Sequence, residues 1–205
     1  MISAKSFNGY VVFFTWLLSV SWMFVGPNRE VWHVQPTSHL RVDGQTNVNQ
    51  FHCIVPDYNS LDSLVCLQAQ VGTDACRVAG SMHIPIAVFD CQHRMMTKDL
   101  QKTLKMEQYP TMRIDFKNFS QMPSKLSRGS TLIANTEIRL AGVTKSYHLV
   151  FTVKNAAGHV LDLKGSLSIL FSDFKLIPPS KLGGTIRVKD ELIVNVSLQL
   201  RRQRG

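Results

Sequence analysis

The sequence has none of the short signatures on which the commonest catalytic and nucleotide-binding sites are built. It lacks a G-x-S-x-G elbow, and its serines fall mostly on outward strand positions, which removes the usual setting for a nucleophilic serine. No glycine-rich loop opens a helix, so neither a P-loop nor a dinucleotide-binding turn is present. The histidines (His33, His39, His52, His83, His93, His148 and His159) come one at a time, without the H-x-x-x-H pair of helical metal sites. His52 and His83 read as solvated strand residues. Asp99, Glu107, Asp173 and Glu191 form no carboxylate pair that spacing singles out. No two cysteines stand as C-x-x-C, which excludes a zinc ribbon or a redox dithiol of that type. Internal repeats and low-complexity segments are absent. Beyond the N-terminus, no apolar run approaches the ~20 residues of a membrane helix. These absences point away from an enzyme and from any metal or cofactor.

Acidic residues are the scarcer charge, 14 against 23 lysines and arginines, for a formal charge of +9. Without the first 26 residues, which hold only Lys5, 22 basic against 14 acidic residues leave +8. Such an excess favours anionic surfaces such as phospholipid headgroups. The cations are scattered apart from Arg201, Arg202 and Arg204, and no platform of aromatics lies beside them, so nucleic acid is not expected. Apolar content of 44% and charged content of 18% are globular values. Lys5 followed by the apolar run Tyr10 to Val25 has the form of an export signal, so residues 1–26 read as a signal peptide or a retained N-terminal anchor. Residues 30–201 are left as one domain. A periplasmic or secreted setting follows as an expectation.

In an exported chain the even set Cys53, Cys66, Cys76 and Cys91 suggests disulfides, with three pairings open. The favoured one joins Cys53 to Cys91, and Cys66 to Cys76 across a hairpin; buried free thiols are the alternative. The dominant signal is alternation. Leu161, Leu163, Leu167, Ile169 and Phe171 fall on odd positions, and Leu192, Val194, Val196, Leu198 and Leu200 on even ones, with polar residues between. A period of two means antiparallel strands with one dry face. Rows at Leu132 to Leu140, Tyr147 to Val153 and Met112 to Phe116 extend the pattern, and Ala79 to Cys91 reads as another strand with Pro85 at an edge or bulge. One helix is expected at about 94–106, with Thr97 as its cap and Leu100 and Leu104 on one face. About eight strands and one inserted helix imply a mainly β fold, an antiparallel barrel wide enough to fill with side chains or to hold one small ligand.

Several stretches carry a resemblance. Trp32, Pro36 and Ser38-His39-Leu40-Arg41-Val42-Asp43-Gly44, then Leu140-Ala141-Gly142-Val143-Thr144-Lys145, then Gly165 and Ser172-Asp173-Phe174, follow in order and spacing the pattern of the YceI-like family. The chain resembles that family from about Trp32 to Leu200. The cysteines and Pro178-Pro179 resemble a Bacteroidetes-type branch, and Lys175 stands where glycine is usual after D-F. The resemblance implies an extended eight-stranded lipocalin-like barrel with a helix, an exported setting, and a long isoprenoid chain held inside.

The function expected is therefore non-enzymatic binding of an amphiphilic lipid, polyisoprenoid or quinone in type. Its lining would be drawn from the inward rows: Met82, Ile84, Ile86, Val88, Ile114, Phe116 and Ile138 from earlier strands, then Leu140, Leu149, Phe151, Leu167, Ile169, Val194 and Val196. Partners would be an isoprenoid or other long-chain lipid and a membrane surface; the oligomeric state stays open, a dimer included. The second reading is an exported interaction or stress-response module without bound lipid, working through loops Asp57 to Ser60, Met122 to Gly129 and Pro178 to Gly184. An enzyme acting on a hydrophobic substrate would need a polar cluster in the dry interior, for which Thr136 and Asp90 are the only candidates.

Overall fold

The computed structural model describes residues 28–203 other than Asp57 and Val71. The N-terminal segment 1–26 and Arg204 lie outside the described residues. Twelve strands, β1 (Arg29–Val34), β2 (His39–Thr46), β3 (Gln50–Val55), β4 (Ser63–Gln68), β5 (Cys76–Ala79), β6 (Ser81–Pro85), β7 (Thr111–Phe119), β8 (Thr131–Leu140), β9 (Val143–Ala157), β10 (Val160–Leu170), β11 (Ser180–Lys181) and β12 (Ile186–Arg202), surround one helix, α1 (Arg94–Thr103). Every pairing is antiparallel, and the order β1-β4-β5-β7-β8-β9-β10-β12 closes on itself through β1–β12, a ring of eight. No helix among the described residues is long and apolar enough to cross a membrane.

Two of the barrel's eight staves are broken strands. β1 and β2 both pair with β12, Val34 opposite Leu200 and His39 opposite Ser197, with Pro36 at the break. Buried Ser38 bridges that break: its Oγ accepts the Gln199 N–H at 3.0 Å. The region expected as one strand from Ala79 to Cys91 is likewise interrupted. β5 and β6 both pair with β7 but are separated at Gly80, and β6 ends at Pro85, followed by a 3-10 turn over Ile86–Val88. That turn rotates the side chains off the alternating pattern, so Val88 is 40% exposed instead of inward, whereas Ile86 is buried.

The expected helix forms, but its cap differs. His93 holds the N-cap position without a side-chain cap bond, and Thr97 Oγ1 instead accepts the Cys91 N–H at 3.0 Å.

The two ends of the barrel are packed differently. At the β1–β4–β5 end, Trp32, Leu64, Phe119, Leu161, Leu198 and Leu200 fill the interior, and Phe116 meets Phe119 edge to face at 5.7 Å. Glu30 is buried there and fully satisfied. It accepts from Trp32 Nε1 at 2.9 Å and from the Ser124 N–H and hydroxyl, with Arg202 at 3.6 Å. A buried carboxylate persists only when it is paired in this way. The other end carries α1.

Candidate functional site

The helix-bearing end is built where the sequence motifs converge. β8 and β9 are joined by Ala141 and Gly142, both with positive φ (49° and 81°), a two-residue turn whose twist matches the strands it joins. The ring of Tyr109 lies on Gly142; a Cβ there would come within 2.7 Å of it. Lys145, the third residue of β9, reaches Asp173 Oδ1 at 3.9 Å, and Tyr147 donates to Asp173 Oδ2 at 3.1 Å. Tyr147 also stacks on Phe174 at 6.3 Å. Burial and the neighbouring Asp173 push the Tyr147 hydroxyl above the ordinary tyrosine range, which keeps it a donor. The G-V-T-K and S-D-F stretches are thus the two halves of one contact. Lys175 follows at φ 55°, a left-handed conformation that suits glycine better.

At this end the barrel wall is incomplete. β3 pairs with β2 and β6 with β7, and no ladder joins β3 to β6 among the described residues. The gap is spanned by one isolated bridge, Ile54 N to Asp90 O at 2.7 Å and Asp90 N to Ile54 O at 2.9 Å, and by the Cys53–Cys91 disulfide. Three residues after Cys91, α1 begins and crosses the mouth. It is held by Lys181 to Asp99 at 2.6 Å, by Gln101 to the Ala87 carbonyl at 3.3 Å, and by Leu100 and Leu104, which point into the barrel. Its backbone approaches no single strand closely.

Beneath α1 lies an apolar cavity of about 60 Å³. Leu100, Leu104 and Phe89 form its roof; Leu40, Val42, Met112, Ile114, Ile138, Leu140, Leu149, Leu167, Ile169, Leu192, Val194 and Val196 form its walls. Thr136 is the only side chain of the lining that carries an oxygen or nitrogen, and its hydroxyl is spent on the Tyr147 carbonyl at 3.3 Å. A second void of about 20 Å³ lies against Met82, Ile84, Tyr58 and Val55, and shares Leu40, Ile114 and Val196 with the first. A cavity of about 150 Å³ is what benzene occupies, so a space of this size stays dry and holds no chain while α1 is seated.

The expected lining residues divide. Ile114, Ile138, Leu140, Leu149, Leu167, Ile169, Val194 and Val196 border the main cavity, and Met82 and Ile84 the smaller void. Phe116, Phe151 and Ile86 are buried but border neither, and Val88 lies outside. The expected lining omits the wall residues Leu40, Val42, Met112 and Leu192, which lie on strands, and also Phe89, Leu100 and Leu104, because the roof comes from a turn and a helix. The spacing of four between Leu100 and Leu104 was the signal that could have found it. Of the two interior polar candidates, Thr136 lines the cavity, whereas Asp90 is exposed at the bridge to Ile54.

Other polar groups lie away from the main cavity. Tyr58 donates to Asp62 Oδ2 and accepts the His83 N–H at 2.9 Å; burial, then Asp62, raises its hydroxyl above the usual tyrosine range. Cys66 and Cys76, expected as a second disulfide, are buried free thiols in mutual contact on β4 and β5. Cys66 sits opposite Val78 and Cys76 opposite Gln68, so the two are diagonal neighbours. The hydrogen bond with the adjacent Cys76, and then burial, push the Cys66 thiol up. Among the described residues, no three His, Cys, Asp or Glu side chains gather as metal ligands.

No curated protein matches the chain. Its fold is similar to that of a polyisoprenoid binding domain from Saccharophagus degradans implicated in plant cell wall breakdown (TM-score 0.59, 10% identity, 84% of this chain and 98% of that one). It is similar also to Burkholderia cenocepacia BcnA (TM-score 0.57, 16% identity, covering 79% and 95%). A mutant of the Campylobacter jejuni YCEI protein aligns with TM-score 0.52 at 17% identity, over 72% and 84% of the two chains. At these identities the likeness speaks for the fold. The model of the YceI-like domain matches residues 37–200, from the kink after β1 to the last inward leucine of β12, and the chain belongs to the YceI-like family.

Proposed function

We propose that this protein is an exported, non-enzymatic carrier that holds an amphiphilic long-chain lipid, of polyisoprenoid or quinone type, inside the barrel beneath α1. The observation that carries the reading is the cavity wall, which is apolar throughout except for a Thr136 hydroxyl already bonded to backbone. Such a wall offers a chain dispersion and burial worth about 25 cal/mol per Å² removed from water, and no group that could attack or protonate a substrate. The similar fold of a polyisoprenoid binding domain supports the choice of ligand class. The Cys53–Cys91 disulfide and the apolar run near the N-terminus support export.

Loading requires α1 to move, because 60 Å³ admits no isoprene unit. The helix suits a lid. Its seat is two leucines, worth roughly 3–6 kcal/mol together, with a single ion pair. It is flanked by Gln92 and Lys105 in left-handed conformations (φ 57° and 54°), while the disulfide fixes the chain just before it. Protein isolated from membranes and examined by native mass spectrometry should carry one extractable isoprenoid-class lipid per chain. Protein that is lipid-free from membranes, and that also takes up no polyprenol from detergent, sinks the proposal.

A further inference from the structure

The helix that roofs the cavity has a second face. Arg94, Lys98 and Lys102 recur at spacings of four, so they form one stripe on the side opposite Met96 and Leu100, and Lys105 follows just past the end of the helix. All four are exposed. Among the described residues, none of them lies within ion-pair distance of a carboxylate. The acids of the same segment are Asp99, taken by Lys181, and Glu107, one turn beyond α1.

The segments tied to α1 add apolar tips. Lys181 brings the 175–181 loop against the helix, and in that loop Ile177 is 86% exposed between Lys175 and Lys181. The β2–β3 hairpin joins the same loop region, since Asn47 bonds the Thr185 carbonyl at 2.8 Å and accepts the Arg187 N–H at 2.9 Å. Val48 at its tip is 64% exposed, and Met95 on α1 is 58% exposed. Unpaired cations beside isolated large apolar side chains are the composition of surfaces that lie in the headgroup layer, the cations on lipid phosphates and the apolar tips just below them. At the barrel's other end Lys125 is paired with Asp74 and Arg202 with Glu30.

We infer that the helix-capped end, with the α1 stripe, Val48 and Ile177, is a docking surface for an anionic phospholipid bilayer. It deepens the lipid-carrier reading, since docking in this orientation sets the lid of the cavity against the membrane from which a lipid would enter. Each cation near an anionic surface is worth about a fivefold gain in affinity, and the gain decays within a Debye length.

The test uses the full chain with vesicles of phosphatidylcholine alone or with roughly one third phosphatidylglycerol, read by hydrogen exchange so that contact by the N-terminal segment is not mistaken for docking. Exchange should slow in 94–106 and 175–181 on the anionic vesicles only, stay unchanged in 120–130, and return to the free rate in high salt. K98E with K102E should weaken this protection at least about 30-fold in lipid concentration. R77E with R128E alters net charge equally at the far end and should leave it intact. Equal loss in both variants, equal protection on neutral vesicles, or no protection of α1 overturns the docking surface. The stripe variant should still yield lipid by extraction at the wild-type melting temperature. Lost docking with retained lipid therefore separates failure at this surface from failure of the carrier reading, in which lipid is absent from every variant.

Discussion

Removing the Cys53–Cys91 disulfide tests the way the open end is held together. The bond closes a separation of 38 residues. Chain-entropy arithmetic for a loop of that length gives about 4 kcal/mol at 25 °C from restriction of the unfolded state. Two buried sulfur atoms add roughly 1 kcal/mol of lost packing. The C53A/C91A variant should therefore lose about 4–5 kcal/mol in equilibrium urea unfolding. With a denaturant slope of about 2 kcal/mol/M, the midpoint falls by about 2 M, and the melting temperature by about 10–15 °C. The loss has a local signature as well. The bond and the Ile54–Asp90 bridge tie β3 to the segment that leads into α1, so trypsin should cut at Arg94, Lys98 and Lys102 faster than at Lys125 or Arg128. A reductant should reproduce the loss in the wild type and do nothing further to the variant. A wild-type protein that loses under about 1 kcal/mol on reduction, together with a variant of unchanged midpoint, refutes the reasoning.

Three further outcomes follow from single sites. Lys175→Gly should stabilise the fold by about 1 kcal/mol in the same urea assay, because the φ of 55° strains any residue with a Cβ. At Asp115, burial alone raises the carboxyl, but the Ser81 hydroxyl at 2.5 Å and Arg113 Nε at 2.7 Å outweigh it and hold the group below the usual carboxylate range. A lowered folded value means stability that is present above about pH 3.9 and lost as pH falls through the folded value. D115N should therefore cost about 1 kcal/mol at pH 7, the pair being partly exposed, and the difference from wild type should shrink at the acid end of a pH series of urea titrations. Cys66 and Cys76 should be silent to a thiol reagent in the native protein and give two equivalents in guanidinium without reductant; one disulfide too many by mass would contradict this.

Much of the barrel is legible in the sequence because its later strands obey one simple rule. In β8, β9, β10 and β12 the inward rows alternate over long stretches, and residues such as Leu161, Leu163, Leu198 and Leu200 are buried as alternation requires. Gly165 departs from the apolar row for a readable reason: it faces fully buried Phe151, and a Cβ there would meet that ring at 2.9 Å. The first half obeys alternation less well. Pro36 and Gly80 break staves whose halves still share one partner strand, a long-range fact that local pattern does not contain. Val88 illustrates the consequence, since a 3-10 turn after Pro85 reverses the side expected of it. The site was read in part for the same reason. Its walls come from strands, whereas its roof comes from α1 and Phe89, whose position over the mouth depends on where the disulfide and the β7 start hold the chain. The expected Cys66–Cys76 bond fails on a finer point, because the two thiols are diagonal neighbours and not directly opposed across the hairpin.

The central claim, that a lipid chain lies inside the barrel under α1, is tested most directly by photocrosslinking a diazirine-bearing polyprenol to the full chain and mapping the adducts by peptide mass spectrometry. The account predicts adducts on the cavity wall and roof, at Leu100, Leu104, Ile138, Leu167 and Val194, that unlabelled polyprenol competes away. Adducts confined to exposed Val48, Ile177 or Leu61, or adducts that competitor leaves unchanged, would contradict it.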